Sequence, residues 1–243
     1  MYGWRGRIGL LVPSTNFTVE VEFQRAVPDG VSVHTARCML RDVQDEKDKV
    51  AAIAEMSREV ARASREVACI KPKVIAWACT AGSFVKGMGY DQGLIQEMET
   101  ETGITSITTT TAVVNALKAM QIHRVAVATP YIREVYERQR VFLEESIPDL
   151  KVTRIGGVGI LSSFEKGNLD PTSAYVAARE IDSSEAEAVF ISCTAWRTFE
   201  IVDALEQDLG KPVITSNQAT LWSCLKALGL SGIKGYGQLL DRH

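Results

Sequence analysis

The sequence holds no CxxC pair and no cluster of cysteine and histidine at metal-ligand spacing. Its five cysteines stand at 38, 69, 79, 193 and 224, an odd number. That pattern argues against a disulfide framework or a zinc site and fits a reducing, cytoplasmic compartment. Charge of one sign is also scarce. The formal net charge of −3 makes no case for a nucleic-acid or anionic-membrane partner. No apolar run approaches the roughly 20 residues of a membrane span. The opening MYGWRGRIGLLVP continues straight into a strand-like segment and is not expected to be a signal peptide. No phosphate-binding GxxxxGK[ST] occurs. Gly157-Val-Gly159 begins like a dinucleotide loop, but Ser162 stands where the last glycine belongs. The histidines, His34, His123 and His243, accompany no nucleophile signature.

What remains is a chain of 243 residues, 46% hydrophobic and 23% charged, with ample material for a buried core. Strands are expected at 7–12, 31–38, 74–78, 104–108, 124–129, 152–155, 188–192 and 212–215. Most are apolar without strict alternation, as strands covered on both faces are. Helical patterns lie between them. Val50, Ile53, Met56, Val60, Ala63, Val67 and Ile70 form one apolar stripe, stopped by Pro72. Asp170-Pro171 reads as a helix start, Gly103 and Gly210 as helix ends. Alternating βα units predict α/β architecture with doubly wound, Rossmann-like parallel sheets.

The halves repeat. Arg7-Ile-Gly-Leu-Leu-Val-Pro13 is echoed by Arg124-Val-Ala-Val-Ala-Thr-Pro130, an offset of 117 (124 − 7). The strand ending at Cys79-Thr80 is echoed by the strand ending at Cys193-Thr194, an offset of 114 (193 − 79). Asn115-Ala-Leu-Lys-Ala-Met120 is echoed by Ser223-Cys-Leu-Lys-Ala-Leu228, an offset of 108 (223 − 115). Three matches in one order predict two pseudo-symmetric halves, residues 1–115 with 220–243 and residues 116–219. In open α/β sheets ligands sit beyond the carboxyl ends of the strands. Halves facing one another across a pseudo-twofold axis would oppose Cys79 and Cys193 across one cleft, with room for a small planar substrate.

Each cysteine opens a strand-to-helix turn among small residues, where helix N-terminal N–H groups are expected to favour the thiolate. Read singly, each is equally an ordinary core cysteine, as Cys38, Cys69 and Cys224 are expected to be. The pairing within a repeat selects the functional reading. Ser14, Thr15 and Asn16 follow the first strand and offer hydroxyl, amide and N–H groups to a carboxylate, or cap a helix. Tyr131, their repeat counterpart, either donates to substrate or packs in the core. The runs 108–111 and 215–217 either complete the carboxylate pockets or cap helices. Gly87 and Gly89 suit a tight turn or a lid hinge.

These motifs resemble the aspartate/glutamate racemase superfamily, and within it the maleate cis–trans isomerases and arylmalonate decarboxylases. VPSTNFTVEVE is similar to the maleate isomerase opening. ACTAGSFVKG and ISCTAW look like the two cysteine loops. TAVVNALKAM, RVAVATPYIREVYERQRVFLEE and the final GYGQLLD are similar to both groups. Cysteine at both sites resembles racemases and maleate isomerases, since decarboxylases keep only the second. The resemblance implies an isomerase that needs no metal or organic cofactor. Cys79 would be its nucleophile and Cys193 the opposing acid. Asn16 and Tyr131 would hold carboxylates, with Thr80 and Thr194 in the cysteine loops. It further implies a homodimer acting on a small carboxylate. Ser163 aligns where maleate isomerases carry a loop asparagine, with Asn168 nearby, and Trp196-Arg197 is bulkier than that pattern. These departures leave room for another acid. A racemase of amino acids or hydantoins, a malonate decarboxylase and a non-catalytic carboxylate-binding protein are the alternatives.

Overall fold

The inner runs become strands because they are buried on both faces and can hide their backbone polar groups only by pairing, while the outer runs 31–38 and 151–157 pair along one edge and stay part-exposed. The computed structural model describes residues 1–242; His243 lies outside them. The strands are β1 (Gly6–Pro13), β2 (Val31–Cys38), β3 (Val74–Trp77), β4 (Ser106–Thr108), β5 (Arg124–Thr129), β6 (Lys151–Gly157), β7 (Ala188–Ile191) and β8 (Val213–Thr215). They form two four-stranded sheets, ordered β2-β1-β3-β4 and β6-β5-β7-β8, with every neighbouring pair parallel. The predicted fold class is the observed one, and the identical strand order gives the sequence repeat its structural form.

The helices start and stop largely where their chemistry dictates. Asp170 accepts from Thr172 N at 2.8 Å ahead of Pro171, and Gly103 and Gly210 close their helices in the left-handed conformation. The stripe from Val50 to Ile70 departs from a single helix. It forms helices Lys49–Met56 and Val60–Ala68, joined by a 3₁₀ turn at Ser57–Glu59. The buried Ser57 hydroxyl bonds Ile53 O and Gly82 O, and such back-bonding to the preceding turn bends a helix. Gly87 and Gly89 build a tight turn ahead of helix Tyr90–Thr102. Gly157 serves sheet packing, since a Cβ there would lie 1.8 Å from Thr129 O.

The halves are bonded to each other at many points. Thr18 Oγ1 donates to Ala195 O at 2.9 Å, and Asn217 Nδ2 donates to the buried carboxylate of Glu22. Cys38 and Cys224 are buried as expected, but Cys69 is exposed, because it follows the last turn of its helix at the surface. Among the described residues, no helix is long and apolar enough to cross a membrane.

Candidate active site

The strand ends of the two sheets face a common cavity of about 50 Å³. Cys79 and Cys193 both line it. Each lies two residues past the end of an equivalent strand, β3 or β7. The intervening residue anchors each loop identically: Ala78 N donates to Leu11 O and Ser192 N to Ala128 O, both at 2.8 Å. Cys79 is the N-cap of helix Thr80–Phe84, and its Sγ accepts from Gly82 N at 3.3 Å. Gly82 permits this approach, since a Cβ there would meet Sγ and the Trp77 ring at 2.9 Å. The expected favouring of thiolate is overridden in the resting site. Burial pushes the Cys79 thiol up to about 12, against the opposing pull of the Gly82 N–H and of Lys166. A five-residue helix offers one hydrogen bond, which does not match the lost hydration.

Around the thiols the expected residues divide. Asn16, Tyr131, Thr194 and Ser163 line the cavity; Ser14 and Thr80 do not. Ser14 Oγ instead accepts from Leu40 N at 3.0 Å, and Thr15 lines the cavity beside it. Thr80 Oγ1 donates to Ser216 Oγ at 2.9 Å, and Ser216 Oγ in turn accepts from Cys193 N at 3.0 Å. Asn16 caps helix Val19–Ala26 through Oδ1 and donates through Nδ2 to Thr194 Oγ1 at 3.0 Å, keeping one amide hydrogen free. Thr194 Oγ1 donates onward to Ala78 O at 3.0 Å. The buried Tyr131 phenol is raised by burial and by the two cysteines. The runs at 108–111 and 215–217 resolve as caps, with Thr108 and Thr215 each accepting from the third residue of its helix. Phe17 and Phe164, one from each half and each next in sequence to a lining residue, Asn16 or Ser163, pack at 5.6 Å between ring centroids.

The arylmalonate decarboxylase profile matches residues 8–240 of this sequence. The chain belongs to the arylmalonate decarboxylase and maleate isomerase family. Maleate isomerase from Nocardia farcinica is 30% identical over 96% of this chain and 95% of its own length. Arylmalonate decarboxylase from Bordetella bronchiseptica is 29% identical over 96% of each. A solved structure of the Nocardia farcinica maleate cis–trans isomerase, a serine-for-cysteine mutant with a covalently bound succinylcysteine intermediate, superposes with a TM-score of 0.89. It is 27% identical, covering 98% of this chain and 99% of that one. Membership of this enzyme family accommodates both isomerases and decarboxylases.

Against that family background the departures have a structural explanation. Trp196 is fully buried and turns away from the cavity, its Nε1 donating to Ser173 Oγ at 2.9 Å. Arg197 is exposed and pairs with Glu200 at 2.7 Å. The bulky flank therefore takes no space from a ligand. Asn168 is exposed, bonds Glu165 and does not line the cavity, whereas Ser163 does. Two lining residues escaped the sequence reading, Lys49 and Lys166, which are only 2% and 4% exposed. Lys49 Nζ donates to Ser163 Oγ at 2.8 Å, and Lys166 Nζ donates to Leu161 O at 3.3 Å and lies 5.6 Å from the Tyr131 ring. Burial lowers both, Lys166 to about 8. The signal available in the sequence was faint: Lys49 immediately precedes the apolar stripe, and Lys166 stands in the Ser163–Asn168 loop.

Proposed function

We propose that the protein is a cofactor-independent isomerase of a small carboxylic acid, a maleate cis–trans isomerase in its simplest form. The observation that carries this reading is the pair of thiols opening from matched strand ends onto one cavity. Cys79 thiolate adds to one alkene carbon of a cis-enedioate, forming a C–S bond. The electron pair of the double bond moves into the adjacent carboxylate as an enediolate. The second amide hydrogen of Asn16 and nearby backbone N–H groups stabilise that charge. Cys193 shields or supplies a proton on the other face. Rotation about the new single bond follows, the electron pair returns, and the C–S bond breaks to give the trans product with Cys79 thiolate restored. The succinylcysteine of the Nocardia farcinica relative is the adduct that such an addition, followed by protonation, leaves on a thiol.

Proton NMR of maleate with the purified protein in deuterated buffer tests the reading. Fumarate should form with the wild type and fall by at least about a thousandfold with Cys79→Ala and with Cys193→Ala. Conversion that survives loss of Cys79 would rule out the addition mechanism. Deuterium uptake at the α-carbon of an amino acid or hydantoin, with no fumarate, would move the assignment to racemisation. Release of carbon dioxide from an arylmalonate would move it to decarboxylation.

A further inference from the structure

Lys49 and Lys166 are the chemistry that the cysteine pair leaves unexplained. They come from opposite halves of the chain, one from the start of helix Lys49–Met56 and one from the short helix Glu165–Asn168. Both reach the wall of the thiol cavity while almost fully buried. Among the described residues neither forms an ion pair with a carboxylate. Their oxygen partners are neutral, the Ser163 hydroxyl and the Leu161 carbonyl. The acidic groups that act on them are Asp42, at the surface, and the two cysteines. An ammonium carries three donors, so two N–H directions stay open on each. Buried charges are ordinarily paired, and two like charges brought together with only the surface carboxylate of Asp42 acting on them, and no ion pair, describe a place prepared for an anion. Four open donors match the roughly four acceptor positions of one carboxylate.

We propose that Lys49 and Lys166, steadied by Ser163, form an anion subsite that holds the second carboxylate of a small dicarboxylate substrate. This rests on the reading of the cavity as a carboxylic-acid site and specifies which acids it takes. A monocarboxylate held on the Asn16 side would leave both ammonium groups with neutral partners alone. A decarboxylation would also be opposed, because the departing group must surrender its charge and become neutral carbon dioxide beside two cations that stabilise the carboxylate. Isomerisation keeps both carboxylates charged throughout. Ser163 belongs to the subsite because its hydroxyl can accept from an ammonium without adding charge, which leaves both positive charges for the ligand.

Calorimetric titration with succinate and with butyrate, of equal carbon number but one carboxylate, tests the subsite without turnover. The wild type should bind succinate at least about tenfold more tightly than butyrate. Lys49→Met and Lys166→Met should each weaken succinate by about tenfold or more and leave butyrate within about threefold, while Lys166→Arg keeps most of the preference. Melting curves establish that each variant is folded, and the two methionine variants report independently. Absence of a succinate preference in the wild type overturns the proposal. So does a preference that survives in both methionine variants, or equal weakening of the two acids. Loss of the preference in the variants, together with no isomerisation of maleate by the wild type, would retain the subsite and remove the isomerase reading. Isomerisation with an unaltered preference would do the reverse.

Discussion

The two cysteine loops share a sequence and a position but are held by different means. The Cys79 loop is local: the thiol caps its own helix, Ser83 Oγ donates to Cys79 O at 2.6 Å, and Cys79 itself is extended, with φ −145°. The Cys193 loop runs into no immediate helix, and Cys193 adopts φ 141°, a conformation that L-residues rarely take. It is kept there by distant partners. Ser216 Oγ accepts its N–H, Asn217 Nδ2 donates to Thr194 O at 3.1 Å, and Glu22 Oε1 accepts from Thr198 N and Phe199 N. Glu22 and Asn16 belong to the first half, so one half positions the other's thiol. Pseudo-symmetry in the strands has thus produced two cysteine loops with unequal backbone support.

The comparison can be broken or sharpened in four ways. The largest effect concerns Cys79 itself. Because burial pushes its thiol up to about 12, iodoacetamide labelling of Cys79 should climb about tenfold per pH unit from 7 to 10, without levelling. A plateau near neutrality would mean that the local N–H outweighs burial. Peptide mass mapping separates this site from Cys193.

The second concerns the partner that holds the Cys193 loop. Burial raises Glu22 from 4.5 to about 7, against the N–H groups of Thr198 and Phe199. A carboxyl whose folded value lies above its unfolded one supplies stability that is full below the unfolded value and is lost as pH rises to the folded one. Glu22 should therefore cost the fold about 3 kcal/mol between pH 4.5 and 7. Denaturant melts of Glu22→Gln should flatten that slope, and labelling of Cys193 should change while that of Cys79 does not. The third concerns the Cys79 loop. Gly82→Ala sets a methyl group 2.9 Å from Sγ, so the thiol must move. Maleate turnover should fall by about a hundredfold, with stability lowered by about 1–3 kcal/mol and Cys193 labelling retained. The smallest effect tests the strained backbone. Cys193→Gly should abolish turnover yet gain about 1 kcal/mol in thermal melts, whereas Cys79→Gly gains nothing.

Much of this was legible in the sequence because period, caps and repeats are local signals. Eight apolar runs, Asp170-Pro171 and two C-terminal glycines fix the elements, and the recurrence of Cys-Thr after equivalent strands places both thiols at one kind of site. Other features depend on contacts that no local window contains. Lys49 looks like a surface residue beside an apolar stripe, and only the approach of the Ser163 loop, 114 residues away, encloses it. Thr80 carries a natural ligand group, yet Ser216 claims its hydroxyl from 136 residues away. The raised Cys79 follows from how completely the two halves close over it, whereas its sequence context, a helix start, points the other way.

The bonds that hold the Cys193 loop also fix when the site comes into being. Asn16 to Thr194 and Glu22 to Thr198 span 178 and 176 positions of the chain, and closing such long loops is slow and entropically costly. Each sheet is assembled mainly from its own nearby strands, so helices and sheets should be present before the second thiol is set in place. On refolding, far-UV ellipticity should return ahead of turnover. On gentle denaturation the order should reverse, with activity fading while the sheets still stand, so that the proposed thiol site is the last part of the molecule gained and the first surrendered.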